Sequence, residues 1–106
     1  MDARVERAII VLHRSLRNQL SMCALSRSVN LSPSRLRQLF KRDTGRSPLQ
    51  YLKELRVQHA EGLLRSTFLS VKEVAFISGL KDISHFVRDF KKRHGVTPSE
   101  FRIRMQ

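Results

Sequence analysis

Apolar side chains recur along most of this chain at intervals of three and four residues, which is the period of one face of an α-helix. Val5, Ile9, Leu12 and Leu16 follow this spacing near the start of the sequence. No segment alternates apolar and polar residues in the way a half-buried β-strand does. The pattern therefore predicts an all-α fold.

Capping residues and turn residues divide this pattern into separate helices. Side chains that can accept from the first free N–H groups of a helix stand at Ser21, Ser32 and Ser47, and in the capping boxes of Ser70 with Glu73 and of Thr97 with Glu100. Residues that tolerate a positive φ follow predicted helices at Asn30, Gly45, Gly79 and Gly95. The longest helix is predicted from Pro48 to Arg65, with a length of about 27 Å.

One pattern of short helix, tight turn and longer helix occurs twice. Phe40 and Phe90 lie fifty residues apart, as do Gly45 and Gly95. Two helices joined by such a turn form a helix-turn-helix. The repeat predicts two helix-turn-helix subdomains and a linking helix that together make one domain, with the boundaries 1–46, 47–66 and 67–106.

The balance of charges indicates a polyanionic partner. The 106 residues include 21 Lys and Arg against 9 Asp and Glu, which gives a formal net charge of +12 at pH 7. Such an excess costs electrostatic self-repulsion, so it is typical of proteins that bind nucleic acid, an anionic membrane surface or an acidic protein. Composition alone does not choose among these three partners. The apolar fraction of 41% suits one compact domain with a modest core.

Residues that could carry catalysis or hold a metal are sparse. The single cysteine, Cys23, cannot form an intramolecular disulfide, and we expect it to be a small buried apolar side chain of a cytoplasmic protein. The four histidines do not pair with it at the spacing of metal ligands. A glycine-rich phosphate loop, an acidic pair and a catalytic triad are also missing from the sequence. The sequence therefore predicts no enzyme, no cofactor and no metal site.

The second helix of a helix-turn-helix is the one that enters the DNA major groove. Its apolar positions must point inward, which leaves polar residues on the outer face. Arg and Gln can read guanine and adenine edges, and Ile or Val can contact a thymine methyl group. The predicted base-contacting residues are Ser34, Arg37, Gln38, Ile83, Ser84, Val87 and Arg88. The predicted phosphate-contacting residues are Arg35, Lys41, Arg42, Arg46, Lys81, His85, Lys91 and Lys92.

The linking helix is expected to set the distance between the two units. A rod of about 27 Å would hold the second helices of the two helix-turn-helix units about one DNA turn apart, near 34 Å. Both could then enter successive major grooves on one face of a duplex. Because one chain carries both units, a monomer would suffice and the DNA site need not be palindromic.

Two long stretches carry a more specific signal, namely SPSRLRQLFKRDTGRSPLQYL and VKEVAFISGLKDISHFVRDFKKRHGVTPSEFR, together with Arg56, Ala60, Leu63 and Leu64 in the long helix. Over nearly its whole length the chain resembles the DNA-binding domain of the AraC/XylS family of bacterial transcription regulators. The resemblance implies seven helices, two helix-turn-helix units joined by a long central helix, and promoter binding, commonly as an activator that touches RNA polymerase. Carried over by position, it implies base contacts at Ser34, Arg37, Gln38, Ile83, Ser84 and Arg88.

Two positions depart from that family pattern. Ser26 stands where the helices of the first unit cross and where the family often has Ala, so its hydroxyl needs a backbone acceptor. Asp89 stands where the family usually has an apolar residue. It could face solvent and pair with Arg93 four residues later; the alternative is that it weakens packing of the second unit or repels a phosphate.

Together these signals predict a sequence-specific double-stranded DNA-binding domain that acts on promoters in the bacterial cytoplasm. We expect the isolated domain to be monomeric and to be a piece of a longer regulator, whose sensor or receiver domain, absent here, would carry any dimer contact; a small stand-alone regulator is also compatible. Membrane binding is not expected, because a basic amphipathic surface binder needs exposed aromatic or Leu faces, whereas Phe40, Phe86, Phe90 and Phe101 are needed for the core. A scaffold for an acidic protein remains open and overlaps with polymerase binding.

Overall fold

The computed structural model describes residues 1–105 and forms them into seven helices without a β-strand. The helices are α1 (Ala3–Arg14), α2 (Met22–Ser28), α3 (Pro33–Thr44), α4 (Pro48–Ser66), α5 (Val71–Ile77), α6 (Ile83–His94) and α7 (Pro98–Met105). The predictions of an all-α fold and of a long central helix are confirmed. No helix in this described part is both long and apolar enough to cross a membrane.

Two compact units make up the fold, one ending at Leu55 and the other beginning at Arg56. The division lies inside α4, so each unit contains one part of that helix. The pair α2 and α3 belongs to the first unit, and the pair α5 and α6 belongs to the second. The sequence-based division into 1–46, 47–66 and 67–106 stays a prediction, because it treats the linking helix as a segment of its own.

The core of the first unit is formed by α1, α2, α3 and the start of α4. Leu12, Leu25 and Phe40, one from each of the first three helices, are completely buried. Leu52 of α4 belongs to the same cluster. Tyr51 meets the Phe40 ring edge to face, with the ring centroids 5.4 Å apart. Helix α3 is therefore held by its apolar side, which leaves the opposite side to solvent.

The core of the second unit has the same plan with larger aromatic content. Leu64 of α4 and Val74 of α5 are completely buried. Phe90 of α6 meets Phe86 and Phe101 edge to face, at centroid distances of 5.7 and 5.1 Å. These contacts fix α6 between α4, α5 and α7, again by its apolar side.

Side-chain caps and left-handed turn residues set the ends of the helices as the sequence predicts. The Ser32 side chain accepts from the N–H three residues later and begins α3. Ser70 and Glu73 form a reciprocal capping box, whose hydrogen bonds from Ser70 hold the pKa of the Glu73 carboxyl below its usual range. The turns of the two helix-turn-helix pairs contain Asn30 at a φ of 56° and Gly79 at a φ of 79°. Both residue types accept this conformation at low cost.

Ser26 shows how the first unit accepts a polar residue at a close helix crossing. Its side chain is 3% exposed, and its hydroxyl donates to the carbonyl oxygen of Cys23 over 3.0 Å. The backbone acceptor that the sequence requires is therefore present. The two turns also match in their backbone bonds, since Leu31 donates to Ser26 and Leu80 donates to Ala75, over 3.0 and 2.8 Å.

The prediction that Cys23 is buried is wrong, because its side chain is exposed. Helix α2 turns Leu25 and Ser26 toward the core. Successive residues of an α-helix are separated by about 100° around the axis. A side chain two positions before Leu25 therefore points away from the core, whatever its polarity.

Candidate nucleic-acid interface

Helix α3, called here the first reading helix, has one continuous exposed face. Ser34, Arg37, Gln38 and Lys41 occupy positions i, i+3, i+4 and i+7 and therefore share a side of the helix. All four side chains are exposed. The opposite side is buried at Leu36, Leu39 and Phe40. The fold thus brings the three predicted base-contacting residues of this helix together on one surface.

A neighbour on the same helix orients Gln38. The guanidinium of Arg35 donates from Nη1 to Oε1 of Gln38 over 3.3 Å. An amide oxygen has two lone pairs and the amide nitrogen has two protons, so Gln38 keeps the donor and acceptor that adenine recognition needs. Arg35, predicted from the sequence only as a phosphate contact, therefore also restrains a predicted base-contacting side chain.

Helix α6, called here the second reading helix, has an exposed face in the corresponding register. Ser84, Arg88 and Lys91 are exposed on the side opposite Phe86 and Phe90. The two apolar members of the predicted base-contacting set are less exposed than the polar ones. Val87 and Ile83 are both half-buried, and Ile83 packs against the core of the second unit.

Asp89 lies beside this face and is engaged by a residue of its own helix. Its Oδ2 lies 3.0 Å from Nε2 of His85, four residues earlier. His85 is one of the predicted phosphate-contacting residues, and the same ring nitrogen cannot serve Asp89 and a phosphate at once. A pairing of Asp89 with Arg93 stays a prediction.

All of the predicted phosphate-contacting side chains are exposed, and they concentrate toward the ends of the reading helices. Arg42 is partly neutralised, because its Nε donates to Oδ1 of Asp43 over 2.9 Å. That bond, with a second from the backbone N–H of Asp2, holds the pKa of the Asp43 carboxyl below its usual range. The remaining members are Arg35, Lys41, Arg46, Lys81, His85, Lys91 and Lys92.

The last turn of the first reading helix is attached to the start of α1. The backbone N–H of Asp2 donates to Oδ2 of Asp43 over 2.9 Å, and the Asp43 side chain is only 11% exposed. Asp2 in turn accepts from the Arg4 side chain at 3.0 and 3.1 Å and from the Arg4 backbone. These bonds lower the pKa of the Asp2 carboxyl to about 2.

The last turn of the second reading helix is attached to α4. Oε1 of Glu61 lies 2.8 Å from Nε2 of His94 and 3.8 Å from Nε of Arg93. Sequence reasoning missed the attachments at both helix ends. Their partners lie 41 and 33 residues apart along the chain, and no local spacing relates residues at such separations.

The histidines contact individual side chains rather than one another. Within residues 1–105, no group of three or more His, Cys, Asp or Glu side chains could hold a metal ion. The polar contacts are His59 with Ser78, His85 with Asp89 and His94 with Glu61, and His13 meets the ring of Tyr51. The two reading helices of this described part present exposed faces that are basic and polar.

A family of helix-turn-helix domains matches the chain over residues 25–104, a range that includes both reading helices. The transcriptional activator RhaR of Salmonella dublin is 32% identical over 101 residues. That alignment covers 95% of this chain but 36% of RhaR, so the chain spans about a third of the length of this relative.

Solved structures are similar over nearly the whole chain. An AraC-type transcriptional regulator from Chromobacterium violaceum has a TM-score of 0.87 and 26% identity, covering 96% of this chain and 91% of that one. The DNA-binding domain of the global transcriptional factor AdpA was solved in complex with a target DNA. It has a TM-score of 0.87 and 25% identity, covering 96% of this chain and 92% of that one.

Proposed function

Because this chain belongs to the AraC family of transcription regulators, as a helix-turn-helix DNA-binding domain, we propose that it reads promoter DNA with both of its reading helices. The family is one of DNA-binding regulators and not of enzymes. Each reading helix enters a major groove, and the two grooves are successive on one face of the duplex. The chain accordingly acts by binding and not by catalysis.

The observation that carries this proposal is the match between the two exposed faces. Both reading helices are twelve residues long and end at a glycine with a positive φ, Gly45 in one case and Gly95 in the other. Their exposed polar residues recur fifty positions apart, as with Gln38 and Arg88. A surface that is merely solvated has no reason to repeat at this register, whereas two readers of one duplex do.

The chemistry of each side chain assigns it a role on the bases. Arg37 and Arg88 suit the O6 and N7 acceptors of guanine, and Gln38 suits the N6 and N7 atoms of adenine. The half-buried apolar residues at the edge of the second face suit a thymine methyl group, and the two serines can bond to either base of a pair. These smaller contacts are assigned to Ile83, Val87, Ser34 and Ser84.

Cations around these faces hold the duplex by its phosphates. Lys and Arg side chains that neutralise phosphates supply affinity and fix the register but carry no sequence information. The exposed set flanks both faces and so can follow the backbone on either side of each groove. Its Lys and Arg members are Arg35, Lys41, Arg42, Arg46, Lys81, Lys91 and Lys92. His85, whose Nε2 lies 3.0 Å from Asp89, contributes through its other ring nitrogen.

The arrangement of the DNA site follows from one chain carrying two reading helices. The bases that one reading helix contacts form a short segment of the DNA site, called here a box. The two boxes are about one helical turn apart, and they differ in sequence because the two faces differ. A monomer occupies the site, so no palindrome is required. The domain works in the cytoplasm, on chromosomal promoters.

The role in transcription is inferred from a relative that is longer than this chain. RhaR is named a transcriptional activator, and this chain matches about a third of its length. We extend that role to the present protein as an activator whose DNA-bound domain also contacts RNA polymerase.

Arg37→Ala is expected to weaken binding to a specific duplex by about 1–3 kcal/mol and to relax the base preference at one position. Lys92→Ala is the matched control, since it removes one exposed cation from a helix end and is expected to weaken all duplexes alike. Fluorescence anisotropy titrations of labelled specific and random duplexes measure both effects. The unmodified chain should prefer the specific duplex by about 10³-fold or more.

An equal loss on specific and random duplexes from Arg37→Ala would refute its assignment as a base reader. Failure of the unmodified chain to prefer any duplex would refute the proposed function as a whole.

A further inference from the structure

We propose that Glu61 is a positioning residue for DNA reading, which fixes the orientation of the second reading helix from α4 without touching DNA. The inference rests on the proposed function, because it concerns how accurately α6 presents its face to the bases. It assigns a role in sequence discrimination to a carboxylate that lies outside both reading faces.

The contact geometry makes Glu61 the centre of this attachment. Its side chain is only 16% exposed, and that of His94 is 23% exposed. An ionised carboxylate can only accept, so Nε2 of His94 donates to Oε1 of Glu61 over 2.8 Å. Nε of Arg93 lies 3.8 Å from the same oxygen. Two consecutive residues of the last turn of α6 therefore converge on one carboxylate of α4.

The ring of His94 is itself held by aromatic packing. Its centroid lies 4.3 Å from that of Phe90 and 5.1 Å from that of Phe101. The imidazole thus packs against two core rings and lies at hydrogen-bond distance from Glu61. Because both the ring and its hydrogen bond are fixed, the last turn of α6 has little freedom to rotate about the helix axis.

Helix α4 also contacts the turn that precedes α6. Nδ1 of His59 lies 3.0 Å from Oγ of Ser78, which is completely buried and caps the end of α5 next to the turn. His59 and Glu61 lie two positions apart on α4. One stretch of α4 therefore contacts both the turn that precedes α6 and the turn in which α6 ends.

Orientation of α6 matters because base recognition is geometrically strict. An Arg that forks to guanine must present two N–H groups in the plane of the base, at hydrogen-bond distance from both acceptors. Phosphate contacts tolerate small rotations, since they depend mainly on charge. Loosening the last turn of α6 should therefore reduce discrimination at the bases read by Arg88 more than it reduces overall affinity.

The first unit supplies a matched comparison. There the last turn of α3 is attached through Asp43 to the backbone of Asp2 over 2.9 Å, a different contact in the equivalent place. If the attachment of the last turn sets how well a reading helix discriminates between bases, removing one attachment should affect only the box read by that helix.

The test measures dissociation constants for a selected duplex and for two duplexes that each carry one wrong base pair. One wrong pair lies in the box read by Arg37, and the other lies in the box read by Arg88. Each mismatch is expected to cost the unmodified chain about 5- to 150-fold in affinity. Circular dichroism melting of each variant, with and without DNA, reports whether the fold is retained.

Glu61→Leu is expected to reduce the mismatch penalty in the Arg88 box toward onefold while leaving the penalty in the Arg37 box unchanged. His94→Phe should do the same, because it keeps an aromatic ring packed against Phe90 and Phe101 and removes only the donor. Glu61→Gln should restore most of the discrimination, since its amide oxygen can still accept from His94. Asp43→Ala should give the opposite result, with loss confined to the Arg37 box.

Unchanged penalties in both boxes for Glu61→Leu and His94→Phe would overturn the inference, and so would an equal loss in both boxes. If Glu61→Leu melts below the assay temperature, the His94→Phe result decides. An unmodified chain that shows no mismatch penalty at all would instead refute the proposed function, which separates the two failures.

Discussion

Raising the salt concentration from about 50 to about 200 mM is expected to weaken DNA binding by about 10³- to 10⁵-fold. The physical reason is counterion release. Each phosphate neutralised by a Lys or Arg frees condensed cations, so the logarithm of the binding constant falls by about 0.9 for each contact per decade of salt. The chain carries a net charge of +12, and the proposed phosphate-contacting side chains are exposed at the margins of the two reading faces.

Fluorescence anisotropy at several salt concentrations gives the slope directly. Lys92→Ala should reduce its magnitude by about one contact, or 0.9. Removal of an exposed cation that lies outside both helix-turn-helix pairs, such as Arg14→Ala in the last turn of α1, should leave the slope unchanged. Binding that hardly responds to salt would contradict an interface built on phosphate contacts.

Phe90→Ala is expected to destabilise the second unit by about 3–5 kcal/mol. The ring is 1% exposed and contacts Phe86, Phe101 and His94, so its removal leaves a cavity that the surrounding aromatic rings cannot fill. The loss should appear in urea unfolding followed by circular dichroism. Because the reading face of α6 depends on this packing, discrimination at the Arg88 box should fall with it.

Phe68→Ala provides the matched control for that substitution. Phe68 is the same residue type in the same unit, but its side chain is 93% exposed. Its removal should change the free energy of unfolding by no more than about 0.5 kcal/mol. Comparable losses for the two substitutions would mean that the second core is not organised around Phe90.

Most of the fold could be read from the sequence because its signals are local. Ser32 and the capping box of Ser70 with Glu73 mark helix starts through bonds to residues three positions away, and Asn30 marks a turn through its own backbone preference. The apolar spacing then assigned the inner side of each helix. Such signals require no knowledge of distant contacts, so a single sequence was sufficient.

Residue type alone was a poorer guide than position on a helix. Cys23 was expected in the core because small apolar residues are commonly buried, yet it lies on the outer side of α2. Phe68 and Phe76 have the same side chain as the core rings but are 93% and 70% exposed. In each case the direction of the side chain, and not its hydrophobicity, determined its burial.

The sequence predicts which side chains lie on the exposed reading faces, but not the contacts that hold those side chains and helices in place. The exposed register of Arg37 and Gln38 follows from the helical period, whereas the bond from Arg35 to Gln38 depends on rotamers. The attachment of His94 to Glu61 joins residues 33 positions apart and appears only when α4 and α6 are packed together. Long-range contacts of this kind decide the accuracy of a binding surface, and no spacing in the chain encodes them.

In vitro selection of bound duplexes from a random pool tests most directly whether one chain reads DNA twice. We predict a selected motif with two different boxes, whose centres lie about 10 base pairs apart. Selection with Arg37→Ala should relax one box, and selection with Arg88→Ala should relax the other. A motif with a single box, or two boxes that both survive either substitution, would contradict the account.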